Sequence, residues 1–176
     1  KIAYHKVNIR QKASTRIVQT EAKFNVKFLF FNAYEYQHTA NEIWNGRCLR
    51  SIRSKTDDNG DELFLYGHTQ EQLFKINSKD GSEAVTGCVK SFAYWDSDLL
   101  LTSEYLLNSQ NGQYTPVKIV TVGNEQIQLG QKRVNAIHYQ IVSDKFTIDL
   151  WYSQDKEWLA LSTKTENGST LRYERY

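Results

Sequence analysis

The sequence predicts a mainly β fold: a single, strongly curved antiparallel meander sheet, an open half-barrel of about 11 strands, with one short helix packed on its concave side. Three observations predict it. Apolar and polar side chains alternate over long stretches, turn sequences separate these stretches, and Phe, Trp and Tyr make up 13% of the chain. Aromatic residues favour strands, and the long crossover segments that parallel strands need do not occur.

Alternation is clearest in KFNVKFLF (23–30), RVNAIHYQIV (133–142) and FTIDLWY (146–152). Every second side chain in these segments is apolar, which is the period of a strand with one buried face. We predict strands at 2–10, 15–31, 34–44, 47–56, 61–69, 72–77, 115–122, 125–130, 133–142, 146–152 and 157–165, with a weaker twelfth at 170–175.

Turn sequences separate the predicted strands. Asn-Gly pairs occur in DDNG (57–60), QNGQ (110–113) and ENGS (166–169), and GNEQ (123–126) divides two predicted strands. Asn-Gly suits the type I′ hairpin turn, because both central residues of that turn need positive φ. These signals predict a meander, in which consecutive strands are neighbours.

One segment, DSDLLLTSEYLL at 96–107, predicts a helix. Asp96 or Ser97 can cap its first turn, because their side chains accept hydrogen bonds from free backbone N–H groups. Leu99, Leu100 and the later leucines recur at near-helical spacing. An isolated helix of this length is marginal in water, so we expect it to dock on the apolar face of the sheet and cover one end of it.

Length and charge limit the classes of function that the chain can have. The 176 residues are enough for one domain, which we predict over 1–176, and the net charge of +2 gives no basic excess for nucleic-acid binding. No apolar run has the length of a membrane-spanning helix, so we predict no transmembrane segment. Contact with a membrane surface stays open, and the sequence does not indicate the oligomeric state. The first residue is Lys1 rather than Met, which indicates a mature or trimmed chain.

Common catalytic and cofactor motifs are absent from the sequence: P-loop, G-x-G-x-x-G, G-x-S-x-G and H-E-x-x-H. TDDNGDE (56–62) begins like a calcium loop but lacks its later Gly and Glu, so a solvated hairpin turn is favoured.

Cys48 and Cys88 form no CxxC pair, and we predict no metal and no cofactor. Their spacing leaves a disulfide and two buried thiols equally open.

Tyr34, Tyr36 and His38 alternate on one predicted strand face, and the chain holds 4 Trp. The Tyr/His ladder can line a pocket or hold a proton-transfer group, although cross-strand packing is the favoured interpretation. An enzyme built on it needs His38 in an exposed cleft beside a carboxylate or a second His. The many aromatics suit a filled concave face and a ligand pocket equally well.

Several motifs resemble those of a family of exported bacterial proteins of unknown function: EAKFNVKFLFFNAYEYQH, the TDDNG turn, the YW pair at 94–95 and LWY…WLAL…LRYE near the end. The resemblance covers residues 15 to 176. It implies a periplasmic or otherwise exported protein and a bridge between Cys48 and Cys88. More distantly, the layout is similar to the half-barrel of the LolA/LolB-like lipoprotein carriers, which hold acyl chains under a helical lid.

The favoured hypothesis is a periplasmic binding or carrier protein that holds an apolar or lipid-like ligand in a cavity between the sheet and the helix. The alternatives are an envelope scaffold or assembly factor without a small-molecule ligand, and an enzyme that uses the Tyr/His ladder. The predicted ligand-binding residues are Phe28, Phe30, Tyr34, Tyr36, His38, Trp44, Trp95, Leu99, Leu100, Ile148 and Leu150.

Overall fold

The computed structural model describes residues 2–28, 31–164, 168 and 170–175. These residues form a mainly β protein, as predicted, with fourteen strands and one helix. The helix α1 is Ser97–Leu100. The strands are β1 (Ile2–Lys12), β2 (Thr15–Phe28), β3 (Phe31–Asn45), β4 (Cys48–Asp58), β5 (Asp61–Gln70), β6 (Leu73–Ser78), β7 (Gly81–Thr86), β8 (Tyr105–Leu107), β9 (Tyr114–Pro116), β10 (Lys118–Leu129), β11 (Lys132–Val142), β12 (Thr147–Tyr152), β13 (Trp158–Lys164) and β14 (Thr170–Glu174).

Hydrogen bonding arranges the described strands in three sheets. β1–β7 form a seven-stranded sheet and β10–β14 a five-stranded sheet, each in sequence order, while β8 pairs with β9. Both large sheets are antiparallel, which confirms the meander, and neither is closed within the described residues. The prediction of one sheet is wrong, because a helical turn and two short strands between β7 and β10 interrupt the strand-to-strand hydrogen bonding.

Packing divides the chain into two compact units. Unit 1 holds the chain up to Ser91 together with Leu107–Tyr114, and unit 2 holds Phe92–Leu106 together with the chain from Thr115 onward. Each unit contains one of the two large sheets. The single domain expected over 1–176 stays a prediction.

Some strand boundaries differ from the prediction. GNEQ (123–126) does not end a strand, so the separate strands expected at 115–122 and 125–130 are wrong, and β10 runs through both. The pairing with β11 shifts register between Thr121 and Gly123, and Gly123 has a φ of +144°, so a bulge accommodates the glycine inside the strand. Strand β7 was not predicted, since GSEAVT shows no alternation of apolar and polar side chains. Strand β8 lies inside the segment predicted as a helix, and β9 falls at the start of the strand predicted at 115–122.

The helix is shorter than the predicted 96–107. Asp96 is its N-cap, as predicted, and the side chain accepts a 3.0 Å hydrogen bond from the N–H of Leu99. The hydroxyl of Ser103 donates a 2.9 Å bond to the carbonyl of Leu99 just beyond the helix. Such side-chain bonds compete with the helical pattern, and the residues that follow form β8 instead.

Unit 2 buries apolar clusters on both faces of its sheet. The helix contributes Leu100 to the first, and Trp151 belongs to the second, on the opposite face. The members of the first cluster are Leu100, Leu106, Ile141, Leu150 and Tyr152. The members of the second are Ile127, Ala136, Trp151, Leu159 and Ala160. The alternation in β11 and β12 therefore separates two apolar clusters rather than one core and a bare surface.

The seven-stranded sheet of unit 1 has one buried face. Its large apolar residues alternate along the strands, as the sequence predicts, and include Val18, Ile52, Leu65, Phe74 and Ile76. Gly67 permits the closest packing, because a Cβ there would lie 2.7 Å from the ring of Phe74. A side chain at this position would push that ring off β5.

Cys48 and Cys88 form a disulfide, with their Cα atoms 5.0 Å apart. The bridge joins the start of β4 to the segment 87–91. Beside it, the N–H of Leu49 donates a 2.8 Å hydrogen bond to the carbonyl of Val89. The bridge implied by the family resemblance is therefore confirmed.

Candidate functional site

Two neighbouring cross-strand rows at the centre of the buried face of the seven-stranded sheet carry mostly small or polar side chains. The rows are His5, Ala22, His38, Thr56, Leu63, and Val7, Thr20, Ala40, Ser54, Leu65, Ser78. We name five of these residues the central patch: Ala22, His38, Ala40, Ser54 and Thr56. Each is at most 6% exposed. Side chains this small leave space that other atoms must fill, because protein interiors are close-packed.

Residues 108–113, named here the covering segment, lie across the central patch. Ser54 Oγ donates a 2.5 Å hydrogen bond to the carbonyl of Ser109, and Ser109 Oγ lies 3.5 Å from His38 Nε2. The segment reads NSQNGQ, which contains no apolar and no charged side chain. Polar contacts therefore hold the cover on the patch, rather than inserted apolar side chains.

Two asparagines and a glycine set the shape of the covering segment. Asn108 Oδ1 accepts a 2.9 Å bond from the N–H of Gln110, and Asn111 Oδ1 accepts a 3.0 Å bond from that of Gln113. These side chains replace backbone acceptors in two local turns. Gly112 has a φ of +81°, and a Cβ there would lie 2.9 Å from Ser78 Cβ. The predicted Asn-Gly turn thus brings backbone directly against the sheet.

His38 joins the patch to its cover. Its Nδ1 lies 2.8 Å from Thr56 Oγ1, and its ring stacks beside Tyr36 with the centroids 6.4 Å apart. Burial lowers the pKa of His38 from 6.5 to about 4, and the nearby His5 acts in the same direction. The imidazole is therefore uncharged at neutral pH and offers one N–H donor and one acceptor.

Two further ionisable groups on this face also favour their uncharged forms. Burial lowers the pKa of His5 from 6.5 to about 4. Burial raises the pKa of Glu42, although two hydrogen bonds to its carboxyl group oppose that shift. Trp44 Nε1 donates one of them at 2.9 Å, and Ser91 Oγ donates the other at 2.8 Å. The buried face of unit 1 is thus a low-dielectric surface whose ionisable groups resist charge.

The structure divides the predicted Tyr/His ladder. Tyr36 is buried, with its ring 5.2 Å from that of Phe24. Tyr34 is 38% exposed, and its hydroxyl donates a 2.6 Å bond to Asp58 Oδ1. His38 is 5% exposed and so lacks the open cleft that the enzyme hypothesis required.

The other predicted ligand-binding residues lie elsewhere. Trp44 is fully buried in unit 1, where it donates to Glu42. Leu100 and Leu150 are fully buried in the first cluster of unit 2. The side chain of Phe28 and the whole of Phe30 lie outside the described residues. The predicted residues that fall in unit 2 are Trp95, Leu99, Leu100, Ile148 and Leu150. Their roles in ligand binding stay predictions.

The sequence pattern predicted only part of the buried face around the central patch. It identified Tyr36 and His38 but missed Ala40 and Glu42, although the same alternation along β3 continues to both. Extending the period of two along that strand would have found them. Ser109 has no comparable signal, because it is separated from His38 by 71 residues of sequence.

A second polar cluster, on the five-stranded sheet, was also missed as a unit. His138 Nε2 lies 2.8 Å from Asp149 Oδ1, and its Nδ1 lies 3.1 Å from Glu125 Oε1. The ring of Trp151 stacks on His138 at 4.7 Å, and the guanidinium of Arg172 lies 5.1 Å from the indole. Both ring nitrogens of His138 face carboxylate oxygens of the protein, so neither is open to a substrate. The cluster stabilises the pairing of β10, β11 and β12.

An open groove of about 460 Å³ lies beside this cluster. Arg172 and Glu174 form an ion pair of 2.6 Å within it, and Glu125 lies 3.1 Å from His138, so its charged side chains already have partners in the protein. Among the described residues, no group of three or more His, Cys, Asp or Glu side chains is placed to hold a metal ion. The lining residues are Glu125, Ile127, Gln128, Gly130, Trp151, Arg172 and Glu174. The central patch is therefore the stronger candidate for a ligand site.

Comparisons with known proteins give a family for the chain and one solved structure of similar fold. The family model described as "Domain of unknown function (DUF6134)" matches residues 1–176. The structure is similar to the crystal structure of a β-barrel-like protein of the domain of unknown function DUF1849 from Brucella abortus, with a TM-score of 0.64 and 7% sequence identity, over 94% of this chain and 83% of that chain. At this identity the similarity shows the fold alone. No curated protein matches the sequence, and the likeness to lipoprotein carriers stays a prediction.

Proposed function

We propose a binding function for this chain, which belongs to the family described as "Domain of unknown function (DUF6134)". It is an exported, periplasmic binding or carrier protein whose apolar or lipid-like ligand lies on the central patch, in the place that the covering segment occupies. One observation carries the proposal: a buried face of small side chains is covered by six residues that contribute no apolar side chain. Such a cover is suited to being displaced.

The energetics favour exchange of the cover for an apolar chain. Moving the covering segment into water loses hydrogen bonds such as that from Ser54 to Ser109, each worth about 1 kcal/mol net. An alkyl chain placed on the patch gains about 0.8 kcal/mol for each methylene group that leaves water. A few methylene groups therefore offset the loss of the cover, and the small side chains of the patch leave room for them.

This proposal moves the ligand away from the cavity expected between the sheet and the helix. The helix places Leu100 against Leu150, and both side chains are fully buried by protein atoms. Opening that contact would expose large aliphatic groups to water, which costs far more than moving polar residues. The covering segment therefore opens at a lower cost in free energy than the helix does.

The disulfide supports export. The bridge between Cys48 and Cys88 suits an oxidising compartment such as the periplasm, because cytosolic reductants keep thiols reduced. Within the part of the chain that the structure describes, no helix is long and apolar enough to cross a membrane. Fractionation of the native host tests the location: recovery of oxidised protein in the periplasmic fraction supports it, and recovery of reduced protein in the cytosol contradicts it.

Ligand binding is tested by native mass spectrometry of the purified protein and by titration with the neutral fluorescent probe N-phenyl-1-naphthylamine. Ala40→Leu fills part of the patch, so probe binding should weaken about tenfold, the loss of roughly two methylene contacts. Ile43→Phe is the matched control, because Ile43 lies on the same strand but is exposed. Failure of the wild type to bind, or an equal loss in a correctly folded control, contradicts the proposal.

A second candidate function, an envelope scaffold, is favoured by exposed aromatic side chains on β5. Phe64 and Tyr66 are 51% and 42% exposed and lie two residues apart, hence on one face. Exposed apolar patches mark interaction surfaces when they are contiguous. Loss of a cross-linked complex in Phe64→Ser/Tyr66→Ser, but not in Ala40→Leu, would select this function over ligand binding.

A further inference from the structure

The central patch and its cover offer hydrogen bonds but no formal charge. The two cross-strand rows that contain the patch include no Lys, Arg, Asp or Glu. Their polar groups are the hydroxyls of Thr20, Ser54, Thr56 and Ser78 and the imidazoles of His5 and His38. The covering segment adds amide groups and one hydroxyl. A ligand in this place therefore meets neutral donors and acceptors.

The two imidazoles beside the patch do not supply a counter-charge at neutral pH either. The pKa values of His5 and His38 are about 4, so about one molecule in a thousand carries a charged His38 at neutral pH. Glu42, on the same face, has a raised pKa and is already bonded to Trp44 and Ser91. A carboxylate or ammonium group brought here would lose its hydration and find no opposite charge, which is strongly unfavourable.

We infer that the ligand is a neutral amphiphile: an alkyl or acyl chain whose polar group is an uncharged hydroxyl, ester or amide. The inference rests on the proposed function and narrows its ligand class. The alkyl chain lies over Ala22 and Ala40. The polar group takes the place of Ser109, where Ser54 Oγ donates to it as it now donates to the Ser109 carbonyl, and where His38 Nε2 faces it.

Three ligands with the same number of chain carbons, the carbonyl included, test the inference: 1-monolaurin is neutral, laurate is an anion and dodecyltrimethylammonium is a cation. Each competes with bound N-phenyl-1-naphthylamine at neutral pH, below its micelle concentration. Monolaurin should displace the probe at a concentration at least about tenfold lower than either ion. Equal or tighter binding of laurate overturns the inference and leaves the proposed function intact. If neither the probe nor any of the three binds, the proposed function fails, and the inference fails with it.

A charge placed at the site should reverse the preference. Ser54→Lys brings an ammonium group to the strand position whose hydroxyl donates to the polar group, so laurate should become the tighter ligand of the pair. Gln110→Lys is the matched control, since Gln110 is exposed in the covering segment that the ligand displaces and the change in net charge is identical. The control should keep the preference for monolaurin. The same reversal in both variants would show a general electrostatic effect and would overturn the assignment of the polar group to this place.

Discussion

At the scale of single residues, His38 couples protonation to stability. Its pKa is about 4 in the folded protein and 6.5 as the ordinary value, so the unfolded chain binds more protons between these pH values. The free energy of unfolding should therefore rise with pH across this window and stay level above it. For His38 alone, the loss between neutral pH and about pH 5 is about 2 kcal/mol.

Urea unfolding of the wild type and His38→Gln at several pH values isolates this contribution. His5 and Glu42 remain in both proteins, so the difference in unfolding free energy between them reports His38. That difference should change by about 2 kcal/mol between neutral pH and about pH 5, with the wild type losing more stability on acidification. Parallel pH profiles would show that His38 is protonated equally well in both states.

At the scale of elements, the covering segment depends on Gly112. Its positive φ disfavours any side chain, and a Cβ would approach Ser78 to within 2.9 Å. Gly112→Ala should therefore lift the segment from the patch and speed amide hydrogen exchange at 108–113. It should also lower the free energy of unfolding by about 1–2 kcal/mol more than an Ala substitution at a positive-φ glycine with open space around it.

Gly130→Ala is the matched control for this prediction. Gly130 also has a positive φ, of +54°, but nothing lies within 4 Å of a Cβ built there. Hydrogen exchange at 108–113 should be unchanged in that variant. Equal protection of the covering segment in both variants would show that close packing at Gly112 does not hold the cover in place.

The same scale shows which elements the sequence predicts and which it does not. Strand β2 was predictable because one buried face imposes a period of two over many residues. The hairpin turn at Asn59–Gly60 was predictable because an Asn-Gly pair favours positive φ, and both residues have positive φ in the structure. The end of α1 was not, since the hydroxyl of Ser103 competes locally with helical hydrogen bonds, whereas the leucines on either side of it favour a continued helix.

At the scale of the whole molecule, the candidate site needed contacts that no local pattern encodes. Alternation placed Tyr36 and His38 on one face, because that signal lies within a single strand. It could not place Ser109 on Ser54, since this contact spans 55 residues and depends on where the chain returns after β8. The division into several sheets was hidden for the same reason: strand pairing is a property of the assembled chain, whereas periodicity belongs to one segment.

The disulfide makes a prediction about global stability. Cys48 and Cys88 are 40 residues apart, and closing a loop of that length in the unfolded chain is worth about 4 kcal/mol by the chain-entropy estimate. Cys48→Ser/Cys88→Ser should therefore lower the free energy of unfolding by about that amount, measured by urea denaturation. Reduced wild-type protein is the matched control and should lose the same amount, because neither form has the bridge.

A local effect should accompany the global one. The bridge holds the segment 87–91 against β4, where Val89 accepts a hydrogen bond from Leu49 and Ser91 donates to Glu42. Without the bridge, these bonds alone retain the segment, and the buried carboxyl group of Glu42 gains a route to water. Hydrogen exchange at 89–91 should then become faster than at the centre of β4. Unchanged exchange in the double variant, together with unchanged stability, would mean that packing on the buried face holds this segment by itself and that the bridge adds nothing to it.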